Sequence, residues 1–159
     1  MKKKVLVLGG GLSKEREISF KSARAVFKSI KKKYNVEIFD PSKDIVHKIL
    51  SFKPDVVFNA LHGRFGEDGF TQAILENLGV KYTHSGVLAS MKAMDKEVSK
   101  KIFLQNKILS PKYLKIKSQF SQTELKKIKK KLKFPVVIKP LNEGSSLGVY
   151  ICNKNNFVK

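Results

Sequence analysis

Arginine is scarce in this chain. Only Arg16, Arg24 and Arg64 carry a guanidinium, and the other 30 of the 33 basic residues are lysine. Against 13 acidic residues this leaves a net charge of +20, which invites a nucleic-acid reading. The kind of charge argues against it. A guanidinium is the better fork for phosphates and base edges, and the lysines sit in helix-like runs at 31–33 and 126–131, as on a solvated surface. Lysine, isoleucine, asparagine and phenylalanine are abundant together, as an AT-rich coding sequence would produce. Cysteine is rarer still. Cys152 stands alone, which excludes an intramolecular disulfide framework and points to a reducing compartment. Its apolar, strand-like surroundings make it a small core residue. Long apolar runs are missing too: none approaches the ~20 residues of a membrane span. The basic-then-apolar start over residues 1–8 is too short for a signal peptide and lacks a small-residue cleavage site. It reads as a buried first strand. A cytoplasmic protein with neither a membrane nor a nucleic-acid partner is expected.

With 159 residues the chain has room for one ordinary domain or two small ones. Apolar runs at 5–8, 36–39, 56–61 and 80–83 read as strands. Between them, residues 14–33 place Ile18, Ala23, Val26, Phe27 and Ile30 on one helical face. Helices are also expected from Pro41 onward, with Ile45, Ile49 and Leu50 inward, and after the 62–69 loop, with Ile74, Leu75 and Leu78 inward. This βαβαβαβ order implies a parallel sheet covered by helices on both faces. After about residue 90 the order changes. A helix is expected over 90–106, a strand over 112–117, a very basic helix over 121–133, and strands at 136–139 and 149–152. Residues 153–159 read as a turn entering a further helix. Two domains follow, 1–90 and 91–159, the first Rossmann-like and the second α+β.

Four short segments carry the chemistry. Residues 139–148, Lys-Pro-Leu-Asn-Glu-Gly-Ser-Ser-Leu-Gly, follow a buried strand. Lys139 offers a point charge, Gly144 and Gly148 let backbone approach an anion, and the amides and hydroxyls of Ser145 and Ser146 are donors. On turn chemistry alone the same residues also suit a plain hairpin. Residues 10–19, Gly-Gly-Leu-Ser-Lys-Glu-Arg-Glu-Ile-Ser, deliver a helix start to the carboxyl edge of the sheet, where α/β ligands bind. They form neither a dinucleotide fingerprint nor a Walker A loop. A carboxylate such as Glu15 in the first turn is favourably placed beside the helix dipole. It suits a substrate ammonium, or else a pairing with Arg16 or a lysine. Residues 62–69, His-Gly-Arg-Phe-Gly-Glu-Asp-Gly, place His62 at a strand end, where it can donate to a carboxylate. Glu67 and Asp68 there suit capping or holding the loop. No second histidine or cysteine stands at ligand spacing, so no metal ligand is assigned. His47 reads as a helix-face residue and His84 as part of a turn. The fourth segment is Met94-Asp95-Lys96, whose lysine means little without context.

That context is supplied by a resemblance. The four segments, in this order and spacing, resemble the bacterial D-alanine–D-alanine ligases of the ATP-grasp superfamily. The resemblance runs over the whole chain; His84 stands where many members have glycine. It implies a Rossmann-like, pre-ATP-grasp amino-terminal domain followed by part of an ATP-grasp α+β domain. It also implies the reaction: ATP phosphorylates the carboxylate of one D-alanine, and the amine of a second attacks the acyl phosphate, for peptidoglycan synthesis. By the same resemblance, Glu15 would bind the first ammonium and His62 would lie near its carboxylate. Lys96, Lys139, Gly144, Ser145, Ser146 and Gly148 would meet ATP, with Ser145 also ordering the site beside Glu15. ATP is then a substrate, Mg2+ or Mn2+ the cofactor, and the complete enzyme a homodimer. Family members are longer. The expectation is an amino-terminal part, inactive alone, with the metal ligands and a transition-state arginine in the remainder. Two alternatives stand beside this: another ATP-grasp carboxylate–amine ligase, or a non-catalytic basic binding module.

The lysine surface generates a test. Generic double-stranded DNA should bind weakly, without sequence preference, and should be released as salt rises toward the physiological range. Fluorescence anisotropy across a salt series checks this. Tight, sequence-selective binding would favour the binding-module alternative.

Overall fold

In a computed structural model, residues 1–42, 44–116 and 121–154 are described. They fall into two compact units, Met1–Met94 and Asp95–Lys159.

The first unit is built on a parallel sheet. Strand β1 (Lys4–Leu8) lies between β2 (Asn35–Phe39) and β3 (Val56–Asn59), in the order β2-β1-β3. Leu6 pairs with Glu37 on one side and Val57 on the other. β1 is apolar without alternation because both of its faces are covered. Val5 and Val7 pack with Ala23 and Ala60, on the side of helix α1 (Arg16–Ile30). Leu6 and Leu8 pack with Ile45 and Ile49 of α2 (Ile45–Phe52) and Leu75 of α3 (Phe70–Asn77). Helix α2 starts at Ile45, later than Pro41 suggests, because Asp44 is its cap: its side chain accepts from the His47 amide. His47 is exposed on that helix. The expected fourth strand shrinks to one bridge, Val57 to Tyr82. Its two hydrogen bonds, Val57 N to Lys81 O at 2.8 Å and Thr83 N to Val57 O at 3.0 Å, are those of a parallel ladder that stops at His84, whose φ is 103°. The Tyr82 hydroxyl donates to Glu76 at 2.6 Å. That bond, with partial burial and the Glu76 charge, pushes the phenol up to about 12.

The long helix expected over 90–106 is two helices, α4 (Val87–Met94) and α5 (Lys96–Gln105). The break is chemical. Asp95 adopts an extended backbone, and its carboxylate accepts from the amides of Glu97 and Val98 at 2.8 and 2.9 Å. An aspartate that caps a new helix ends the old one.

The second unit packs helix α6 (Gln122–Lys131) on an antiparallel pair, β4 (Val136–Ile138) and β5 (Tyr150–Cys152). Ser121 and Glu124 form a capping box at the start of α6, and Lys129, Lys130 and Lys131 sit at its carbonyl end, where the helix dipole favours cations. Leu125, Ile128, Val136 and Cys152 form the core. The expected strand over 112–117 is not formed: residues 112–116 have no regular structure. Leu114 and Ile116 still pack against that core, so burial holds the segment where no ladder does. Residue 117, and the turn and helix expected beyond Lys154, lie outside the described residues.

Leu6 is fully buried on the central strand. Leu6→Ala should therefore cost about 2–5 kcal/mol, while Leu88→Ala, at a site 63% exposed, should fall within about 0.5 kcal/mol. Urea unfolding of both variants measures the contrast.

Candidate functional site

Parallel strands end on one edge, and the first unit gathers its polar residues there. β1 runs out into the glycine turn at 9–11, β2 into Asp40, and β3 into the segment 60–63. Each exit leaves backbone groups without a ladder partner, and side chains supply them. Ser19, fully buried on α1, accepts from Gly10 N at 2.9 Å and donates to Ala60 O at 2.8 Å. Ser13 accepts from Glu15 N at 3.1 Å and donates to His62 O at 2.7 Å. The two serines thus fasten the β1 exit to the β3 exit.

Glu15 sits at the start of α1 yet makes no side-chain cap for it. It is 4% exposed, and its Oε1 lies 3.0 Å from where a side chain on Gly63 would begin. Gly63 has a φ of 69°, so both conformation and space disfavour a larger residue there. Arg16 donates to Gly11 O at 2.8 Å and forms an ion pair with Asp40. Asp40 also accepts from Gly11 N at 2.9 Å and Ser42 N at 3.1 Å. Burial alone would raise the Asp40 carboxyl, but the Arg16 bond and these amides outweigh it and hold it well below the usual carboxylate range.

His62 follows β3. Its Nε2 is 3.0 Å from Ser22 Oγ, and with Gly10, Gly11, Ser13 and Arg64 it lines a cavity of about 130 Å³. The loop beyond is braced by its own acids. Glu67 accepts from Gly63 N at 2.6 Å, and Asp68 accepts from Phe65 N and Phe70 N at 2.9 and 3.2 Å. Beneath it, buried Asn59 and Gln72 both donate to Gly66 O.

The remaining candidates belong to the second unit. Lys96 opens α5 and donates its ammonium to Glu143 O and, at 3.4 Å, to Leu141 O. It therefore braces the 139–148 loop from below. Lys139 is exposed just past β4. In the loop, Gly144 O accepts from Leu147 N at 2.9 Å across Ser145 and Ser146, whose φ values are 43° and 61°. Two successive left-handed residues closed by that bond make a type I′ turn. Serine there costs of order 1 kcal/mol per residue. Gly148, at φ 64°, lies so close to Pro140 that a Cβ would sit 2.8 Å from its ring.

Sequence reasoning missed Ser13, Ser22, Asp40 and Asn59. The two serines lie within or beside the 10–19 segment: Ser22 was readable as a polar residue on an otherwise inward helix face, and Ser13 as a polar residue of the turn before that helix. Asp40 directly follows a strand, so it belongs to the same carboxyl edge as Gly10 and His62. Asn59 carried no signal, being one polar residue inside an apolar run.

The Asp40 clamp has a definite pH signature. Its folded carboxyl ionises below the unfolded value of ~3.9, so its stabilisation is present above that value and is lost as pH falls through the folded one. Asp40→Asn should lower stability at pH 7 by about 1–2 kcal/mol and flatten the acid side of the stability curve. Urea titrations between about pH 7 and pH 3 test both.

Comparison with known proteins covers both units. A family model described as the D-ala D-ala ligase N-terminus matches residues 39–85, and one described as the D-ala D-ala ligase C-terminus matches residues 103–159. The D-alanine--D-alanine ligase of Pelagibacter ubique is 58% identical over 100% of this chain and 53% of its own. That of Zymomonas mobilis is 45% identical over 97% of this chain and 47% of its own. A crystal structure of the Bacillus anthracis D-alanine--D-alanine ligase complexed with ATP superposes with a TM-score of 0.80 at 30% identity, over 98% of this chain and 52% of that one. The chain thus spans about half the length of the relatives it matches, and it belongs to the D-alanine–D-alanine ligase family.

Proposed function

We propose that this chain supplies the first-substrate and part of the ATP site of a D-alanine–D-alanine ligase. The observation that carries the proposal is the placing of Glu15: the residue is 4% exposed at the carboxyl edge of the sheet, and its backbone amide is joined through Ser13 to the His62 carbonyl. A carboxylate at that edge is complementary in charge and hydrogen bonding to the ammonium of an amino acid. Residues 1–90 would take the first D-alanine and residues 91–159 would contribute to ATP binding.

In this reading a carboxylate oxygen of the first D-alanine attacks the γ-phosphorus of ATP and ADP leaves. The amine of the second D-alanine then attacks the acyl carbon, loses a proton, and inorganic phosphate leaves. Glu15 holds the first ammonium and His62 faces the carboxylate, so the nucleophilic oxygen is oriented before transfer. Lys139, Lys96 and the 144–148 turn neutralise and position phosphate oxygens, which is the larger part of what phosphoryl transfer asks of a protein. A divalent cation would supply further neutralisation of phosphate charge. Among the described residues no three acidic, histidine or cysteine side chains stand together to hold one, so the described residues do not fit a metal site and no step is routed through one. The cytoplasm and a homodimeric assembly complete the proposal.

The test is a chimera in which this chain replaces the matching half of the Pelagibacter ubique ligase. The expected outcome is ADP release dependent on D-alanine. Glu15→Gln should lower kcat/KM for the first D-alanine by about ten- to a hundred-fold, the equivalent of losing a charge-assisted bond of ~1.5–3 kcal/mol. Unchanged D-alanine kinetics would return Glu15 to a structural role.

A further inference from the structure

Ser19 and Ser22 lie three residues apart on α1 and so share a face. They meet positions two residues apart on the exit from β3: Ser19 bonds Ala60 O at 2.8 Å, and Ser22 meets His62 Nε2 at 3.0 Å. The first contact is structural, because it satisfies a buried carbonyl. The second engages a ring nitrogen, and which nitrogen carries the proton decides what His62 offers a ligand.

Ser22 has no other hydrogen-bond partner among the described residues. A helical serine commonly turns its hydroxyl back onto the carbonyl four residues earlier, as Ser29 does onto Ala25 O at 3.0 Å. Ser22 does not, so its hydrogen is available to Nε2. A neutral imidazole whose Nε2 accepts must carry its proton on Nδ1. That nitrogen has no partner among the described residues and is the one left to meet a ligand. If the ring gains a proton, Nε2–H donates to Ser22 and the hydroxyl oxygen accepts. A hydroxyl serves both states because it is donor and acceptor at once.

We propose that Ser22 is a positioning residue that holds His62 in its Nδ1–H form, so that a ring N–H faces the substrate carboxylate whether the ring is neutral or charged. The carboxylate half of this inference rests on the ligase reading. The opposite neutral form would turn a lone pair toward an anion, so the Ser22 contact separates a donor from a repulsive group without adding charge to the site.

The experiment is a long-range proton–nitrogen NMR spectrum of the histidine-labelled chain at about pH 9, above the ordinary histidine value of ~6.5. For His62 the wild-type chain should show the Nδ1–H pattern. Ser22→Ala should shift its population toward the Nε2–H form that histidine favours in water, and Ser22→Thr should restore it. An Nε2–H pattern in the wild-type chain overturns the proposal whatever the variants do, as does an unchanged tautomer in a folded Ser22→Ala. Titration with D-alanine should move the His62 ring signals, with an apparent Kd about three- to ten-fold weaker in Ser22→Ala. Wild-type signals that ignore D-alanine, with a tautomer that still follows Ser22, would overturn the carboxylate role and leave the tautomer role standing, while the ligase reading is tested by the chimera. The tautomer and the titration therefore fail separately.

Discussion

Parallel pairing of β1 with both of its neighbours is the constraint from which the first unit's chemistry follows. It sends three chain exits to one edge, and every exit brings amides and carbonyls that the ladder no longer serves. Two serines and an aspartate answer them: Ser13, Ser19 and Asp40 bond the 10–11, 15, 42, 60 and 62 backbone positions. Glu15 and His62 are brought close as a by-product of satisfying the backbone. A site made in this way is preorganised, since its positioning bonds belong to the fold.

Charge is distributed in two distinct ways. Most of the lysine excess lies on exposed positions such as Lys126, Lys127 and Lys129, where it is screened and contributes little energy. The few acids are placed more selectively. Asp40 is gripped by Arg16 and two amides, and Glu97 pairs with Lys115 and Lys101, whose bonds lower its carboxyl. With 13 acids to 33 bases, partners for acids are plentiful, and the acids of these two clusters each engage more than one of them or of the backbone amides.

Much of this was legible in the residues. β1, β2 and β3 announced themselves because buried parallel strands are short apolar runs, and α1 because its apolar residues recur at helical spacing. The site segments were legible because glycines after strands have few other uses. What escaped was decided by contacts distant in sequence. Asp95 splits a periodic pattern with one capping carboxylate. Residues 112–116 have the apolar content of a strand but take no place in the described β4–β5 pair. Asp40 acquires its meaning only when folding sets it beside Gly11, 29 residues away. Lys96 shows a further limit: its motif was readable, but its use as a brace on the Leu141 and Glu143 carbonyls was not.

The central strand carries a consequence of another kind. Its two faces are equally oily, so hydropathy does not tell one from the other. They differ in bulk: valines at 5 and 7 meet the small side chains of Ala23 and Ala60, while leucines at 6 and 8 fill the deeper space toward Ile49 and Leu75. A one-residue slip would preserve every hydrophobic contact class while setting leucine against α1, which the small Ala23 lets approach the strand closely, and valine where leucine's volume is needed. On this strand the register is written in volume, and a substitution that swaps valine for leucine there edits the fold's address without changing its polarity.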